Sequence, residues 1–407
     1  MHRRHLLTSL LVGPLASMFS RAGDWPWFLG SARDGSLEVQ VQPWQGEELS
    51  TAWSIPLGEG FSGPVASGGK VVLFHRQGGD HLVEVVRAEN GSRVWQTRLP
   101  THYEDQLGRG DGPRATPAIA EGKVFVTTPE GVLVAFDFAM GKKLWSVDLP
   151  STYAPPKGFF GYGVSPLVHQ GSVLLNVGGE GAGVVAFSVR DGKELWKASS
   201  HQASYASGIL MRLGAEELAV FFTREGLLAL DPTKGTVVHQ MRWRSRQNAS
   251  VNAASPVAIP GGVFLTASYN TGAIALELRE SGLHKVWSGD ENLSAHYSTP
   301  VYFDGHLYGF HGRQEEGAEL RCVESKTGKV KWVMRGTGCG WLLRARDRLL
   351  VMQENGELLL LKADPARSRV EARAKALNGT ARALPAFVDN LLICRDGKEC
   401  KALKLAS

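Results

Sequence analysis

Seven segments hold most of the side chains able to do chemistry, and each mixes aromatic, basic or amide groups. They are HYEDQLGRGDGPR with Tyr103, Arg109 and Arg114, YAPPKGFFGYG with Tyr162, HQASY with Tyr205 and RSRQNASVN with Asn252, followed by NLSAHY with His296 and Tyr297, GCGW with Trp341, and GTAR with Arg382. Arginine forks recognise carboxylates bidentately, and aromatic faces stack on flat ligands. His296 is of the right type for a general base, but a lone loop histidine more often serves as a hydrogen-bonding side chain. Glu104 and Asp105 are adjacent and would point apart on a strand, so they make no acid/base pair. No cysteine spacing has a histidine partner suited to zinc or haem, and neither a catalytic residue nor a metal site is assigned.

A repeat must position these segments. Gly, three residues, then Trp recurs as Gly91 to Trp95, Gly141 to Trp145, Gly192 to Trp196 and Gly328 to Trp332, and Gly282 to Trp287 is the same unit with one residue inserted. His239 and Ala372 occupy the Trp slot in two degenerate copies, and STAWSIPL supplies an orphan copy at Trp53. Each unit carries strands such as TPAIAEGKVFV and VLVAFD before its Gly, which reads as four short strands joined by tight turns. Strands recurring at about 48 residues are the signature of propeller blades. The expectation is an all-β, eight-bladed propeller of four-stranded antiparallel blades over residues 50–407, with seven blades the alternative count. An N-terminal strand around Trp53 completes the C-terminal blade, so no edge is left unpaired. The repeat Gly allows a turn with positive φ and the Trp covers the junction with the next blade, which makes both fold residues. The seven segments are then the loops from each outer strand to the next inner strand, converging on one funnel.

The motif A-x-D-x-x-x-G-K-x-x-W, here Ala135, Asp137, Gly141, Lys142 and Trp145, resembles the docking motif of the PQQ-like β-propeller repeat family, within the quinoprotein alcohol dehydrogenase-like superfamily. The segment DWPWFLGSARDG resembles the WPxFRGPxRDG leader of such proteins, with Leu29 in place of its Arg, and residues 23–49 form that leader. The resemblance implies one of two kinds of protein. One kind is the dehydrogenases, with PQQ and Ca²⁺ on the axis. The other is non-catalytic, such as the propeller lipoprotein of the outer-membrane β-barrel assembly machine. The chain lacks the adjacent Cys pair of the dehydrogenases and the haem-attachment CxxCH, so PQQ with Ca²⁺ belongs to the alternative reading. The leading expectation is a non-catalytic scaffold for a protein partner or a small extracellular ligand. The alternative is a PQQ-dependent oxidoreductase acting on an alcohol or sugar.

Residues 1–22 combine a basic start, an apolar run from Leu6 to Phe19 and a small-residue end at Ala22, the pattern of a secretory signal. Arg3-Arg4 before Leu6-Leu7 also resembles a twin-arginine signal. The protein is expected to be exported to the periplasm or beyond, as a monomer, with no transmembrane segment in the mature chain. Of a formal charge of +5 over 407 residues, Arg3, Arg4 and Arg21 supply three units, which argues against a nucleic-acid-binding footprint. Cys394 and Cys400 in CRDGKEC face each other if Asp396-Gly397-Lys398 is a three-residue hairpin loop. The choice between a disulfide and two free buried thiols stays open.

Overall fold

The computed structural model describes residues 23–213, 216–279 and 281–405. The signal segment expected at 1–22 lies outside the described residues. Eight antiparallel sheets follow one another along the chain as the blades of a propeller, seven with four strands and one with five. Blades 1 to 8 begin at Val65, Ala118, Leu167, Ile209, Val257, Val301, Gly340 and Ala386. Blade 8 is completed by Thr51–Pro56, which pairs antiparallel with Glu399–Lys404 and sets Trp53 opposite Ala402. The outer strand of the last blade therefore comes from the start of the propeller, as the repeat arithmetic requires.

In the six repeats that carry it, the Trp crosses to the next blade, while His239 and Ala372 occupy the slot in blades 4 and 7. Trp95 of blade 1 donates its indole N–H to Phe138 O of blade 2 at 2.9 Å, and Trp145 of blade 2 donates to Val189 O of blade 3 at 3.1 Å. Trp53, Trp287 and Trp332 make the same bond to Ala88, Ser325 and Asp364, while the indole N–H of Trp196 has no partner. The Trp ring lies on the next blade's glycine. Gly141 has φ +73°, and a Cβ there would sit 2.5 Å from Trp95, so both backbone and space require glycine. Each outer strand carries a β-bulge just before the Trp position, for example between Lys143 and Trp145, and the bulge turns the ring toward its neighbour. The residue expelled by the bulge faces outward, which is why Leu144 and Leu195 are exposed. Aliphatic clusters fill the space between sheets, with Val83 and Val85 of blade 1 against Val124 and Phe136 of blade 2.

A second inter-blade staple lies at the axis, in the Ser and Thr residues just before the inner strands, followed by Pro at Thr116, Ser165, Ser255 and Thr299 and by Gly at Ser207. Thr116 Oγ1 accepts from Gly63 N at 3.1 Å, Ser165 Oγ from Thr116 N at 2.9 Å and Ser207 Oγ from Ser165 N at 3.0 Å, and Thr299 Oγ1 serves Ser255 N at 2.9 Å. The hydroxyls satisfy backbone donors that the blade-to-blade change of direction leaves outside any ladder.

The leader is woven into the propeller. Trp25 bridges Ala66 of blade 1, and Pro26 O accepts from Ile119 N of blade 2 at 2.7 Å. Arg33 donates to Val168 O of blade 3 at 2.7 Å, and Ser36–Leu37 adds a parallel fifth strand to blade 7. Among the described residues one α-helical turn, Leu149–Tyr153, capped by Asp148 accepting from Ser151 N, and one 3-10 turn, Gln314–Glu316, interrupt the all-β pattern. The CRDGKEC hairpin differs from the expected register: Arg395 stands opposite Cys400, and Cys394 stands opposite Lys401. Asp396 accepts from the N–H groups of Lys398 and Glu399, which tightens the turn by one position and moves the two cysteines out of opposition. Both thiols are free and buried, and burial pushes the Cys400 thiol up to about 12.

Candidate functional site

Because the chain enters every blade at the axis and steps outward through antiparallel strands, two loops per blade open on the same face. These are the loop leading into the inner strand and the hairpin between the second and third strands. On that face a cavity of about 500 Å³ opens at the axis. Its floor is built from opposite ends of the chain. Phe28 of the leader meets Trp341 of blade 7 edge-on at 5.8 Å, and Trp341 meets Tyr297 at 5.4 Å. The Trp341 indole N–H is held by Arg382 O at 2.7 Å.

Guanidinium groups line the wall. Arg114 and Arg382 lie over the same ring, Phe61, at 5.6 and 5.7 Å, and Arg114 also faces Phe160 at 5.4 Å. Arg114 Nη2 is 3.2 Å from Asp105, whose fully buried carboxylate also accepts from Leu107 N and Arg109 N. Asp105 thus organises its loop. Arg114 Nη1 is buried with no partner. At the mouth, Glu315 lies between Arg109 at 3.7 Å and Arg313 at 3.5 Å. Arg313 stacks on Tyr269 at 4.6 Å.

The groups able to move protons are engaged within the protein. The two ring nitrogens of His296 meet Tyr269 Oη at 2.8 Å and Gln314 Oε1 at 2.7 Å, and burial lowers its pKa. Tyr297 donates to Glu354 Oε1 at 2.6 Å, and the same oxygen accepts from Arg382 Nε at 2.9 Å. Burial, then the Glu354 carboxylate, raises the Tyr297 phenol well above its ordinary value.

Of the residues expected in the funnel, Arg109, Arg114, Tyr205, His296, Tyr297, Trp341 and Arg382 line this cavity. Tyr162 and Asn252 line a neighbouring cavity of about 180 Å³, which shares Tyr205 and Val251 with the first. Tyr103 lines neither: its ring packs beside Gly161, where a Cβ would lie 2.9 Å away. The Asn252 amide is occupied by Thr223 O at 2.7 Å. Tyr269, Arg313 and Glu315 were missed because they sit on second-to-third-strand hairpins, TASYNTG and FHGRQEEG, which face the same way as the inter-blade loops. Glu354, in the equivalent hairpin of blade 7, holds Tyr297 and Arg382 from behind. The signal was available in an unusual turn: Tyr269 and Asn270 both take positive φ, +66° and +57°, where a hairpin would favour Asn-Gly.

The arginines suit the carboxylates of a quinone such as PQQ, but calcium requires several convergent oxygens. Each carboxylate near the cavity is already paired: Glu354 with Arg382, Asp105 with Arg114, and Glu315 with Arg109 and Arg313. This donor set does not fit a calcium-bridged quinone.

A family model described as outer membrane protein assembly factor BamB, of the PQQ-like repeat type, matches residues 33–148 and 79–334. The chain is 26% identical to a quinohemoprotein alcohol dehydrogenase of Comamonas testosteroni over 196 residues, 44% of this chain and 26% of that protein. It is 27% identical to outer membrane protein assembly factor BamB of Burkholderia pseudomallei over 225 residues, 53% of this chain and 48% of that one. The matches thus span about a quarter and about half the length of these curated relatives. Among solved structures, BamB from Moraxella catarrhalis superposes with a TM-score of 0.64 at 14% identity, over 88% of this chain and 98% of that one, a likeness of fold.

Proposed function

The chain belongs to the PQQ-like propeller family of outer membrane protein assembly factor BamB, and on that premise we propose that it is an exported, non-catalytic scaffold, monomeric, holding a protein partner at its axial cavity. One observation carries the reading. The lining His296 and Glu315 and the Tyr297 phenol are bonded to other side chains, and the Tyr205 hydroxyl accepts from the Phe160 N–H, whereas aromatic faces line the cavity and Arg114 Nη1 has no partner. A general base must be free to reach the proton it removes, and His296 has no free nitrogen. Recognition asks only for preformed shape and unspent donors, and the cavity has both. The BamB relatives support the same reading at the level of family.

The competing reading, a PQQ-dependent oxidoreductase acting on an alcohol or sugar, draws on the dehydrogenase relative and on the arginines. Two measurements separate them. A photo-crosslinking amino acid in place of the exposed Leu107 should trap a discrete envelope protein, and Arg109→Glu should abolish the adduct. The purified chain given PQQ and Ca²⁺ should show no saturable melting shift and no alcohol-dependent dye reduction. Dye turnover without an adduct would replace the scaffold with the enzyme.

A further inference from the structure

The axial cavity continues into its neighbour over a fixed ridge. Tyr205 and Val251 line both cavities, and Tyr205 is pinned by Phe160 N–H donating to its hydroxyl at 2.7 Å and by ring contact with Phe160 at 5.6 Å. Charge along this double cavity is one-sided. Among the described residues lining it, Arg109, Arg114, Arg313, Arg382, Lys157 and Arg224 are cationic and Glu315 alone is acidic, although the chain as a whole has 45 basic against 40 acidic residues. Arg224 spends its donors on carbonyl oxygens of Ser250 and Asn248, so no carboxylate within hydrogen-bonding reach neutralises it. Two large apolar side chains stand exposed at the rims, Leu107 on the axial side at 56% and Phe159 on the outer side at 46%.

Resting on the scaffold reading, we propose that the occupant is an extended acidic peptide segment that crosses the Tyr205 ridge, with carboxylates in both cavities and apolar side chains against Leu107 and Phe159. A compact anion reaches one cavity only, whereas Lys157 and Arg224 in the outer cavity meet no ion-pair partner among the described residues and the axial arginines are paired with Asp105, Glu315 and Glu354. An extended chain advances about 3.3 Å per residue and projects side chains alternately, so carboxylates and apolar groups can sort to the two kinds of surface. Arg114 Nη1 and Arg313 Nε have no hydrogen-bond partner in the protein, so an acceptor oxygen brought beside either by a small side-chain shift would satisfy a donor whose burial otherwise costs free energy.

The test is fluorescence anisotropy on the full chain with a fluorescein-labelled octapeptide, Glu-Leu-Glu-Phe repeated twice. Saturable binding is expected, at least about tenfold weaker when Gln replaces Glu throughout. Arg109→Glu at the axial mouth and Lys157→Glu at the outer cavity should each weaken binding about tenfold; both side chains are exposed, so melting should be unchanged. Full displacement by citrate, indifference to Lys157→Glu, or equally tight binding of single-stranded oligothymidine would each overturn the proposal. If the peptide fails while the Leu107 adduct persists, this ligand class falls and the scaffold stands. If the adduct is also absent, both fall.

Discussion

Trp145 and Trp341 are the same residue type in two regions that work by opposite rules. Trp145 belongs to the docking ring, where Trp53, Trp95, Trp287 and Trp332 give their indole N–H groups to equivalent carbonyls of the next blade. Trp341 belongs to the axial cavity, where its neighbours are the leader's Phe28, Tyr297 and Arg382 O, a set found once in the molecule. The ring is redundant and regular because each blade must solve the same packing problem. The cavity is singular because eight sets of loops meet at one point, and each can contribute a different group. On the proposed scaffold reading, stability and recognition fall to different residues of one repeat.

The largest expected effect breaks the ring. Trp95→Ala should cost roughly 3–5 kcal/mol, read as a lower urea midpoint, because the indole fills the blade 1–blade 2 junction. A loss below about 1 kcal/mol would show the docking contacts to be incidental. Next comes acid. Burial pushes the Glu130 carboxyl up, but hydrogen bonds from His81 and Thr101 outweigh it and hold the group at about 2 in the folded state. A carboxyl depressed below its unfolded value of 4.5 stabilises the fold above that pH, and the contribution is lost as pH falls from 4.5 toward about 2. Allowing for its partial exposure, the stability at stake is on the order of 1–2 kcal/mol, and Glu130→Gln should flatten that stretch of the pH–melting curve.

In the cavity the expected pattern reverses. Arg109→Glu should leave the melting temperature within the range of an ordinary surface change, about 0.5 kcal/mol, while weakening octapeptide binding about tenfold. Binding should also be flat between about pH 6.5 and 8, since burial keeps His296 neutral there; a sigmoidal pH profile would return it to the role of a titrating base. The smallest effect returns to the ring: Leu195→Ser, at a bulge position 55% exposed, should change stability by no more than about 0.5 kcal/mol. A larger loss would mean that the outward bulge residues, and not only the tryptophans, carry the ring.

Repeated features were legible because a packing solution used many times leaves a periodic mark. Gly141 and Trp145 announce their blade, and STAWSIPL announces ring closure by being one strand out of place. Features used once left weaker marks. Arg313 and Glu354 lie in hairpins that look like solvent turns until the alternation of strand direction brings both loop sets to one face. Phe28 lies in a leader that nothing in its spacing ties to the axis. The expected Cys394–Cys400 opposition failed by one register position, since a short turn's hydrogen bonds, here at Asp396, set which residues pair.

The amino-acid sequence by itself determined the all-β class, the eight blades, the docking residues and the shared strand that closes the ring. Each of these follows from local turn chemistry and a period of apolar residues. Only the tertiary structure decided which side chains share the axial cavity, that His296 and Glu354 are engaged there, and that the leader supplies its floor. The physical reason is distance along the chain. Phe28, Tyr205 and Trp341 meet through no local rule, and their meeting is specified only once all eight blades have closed around the axis.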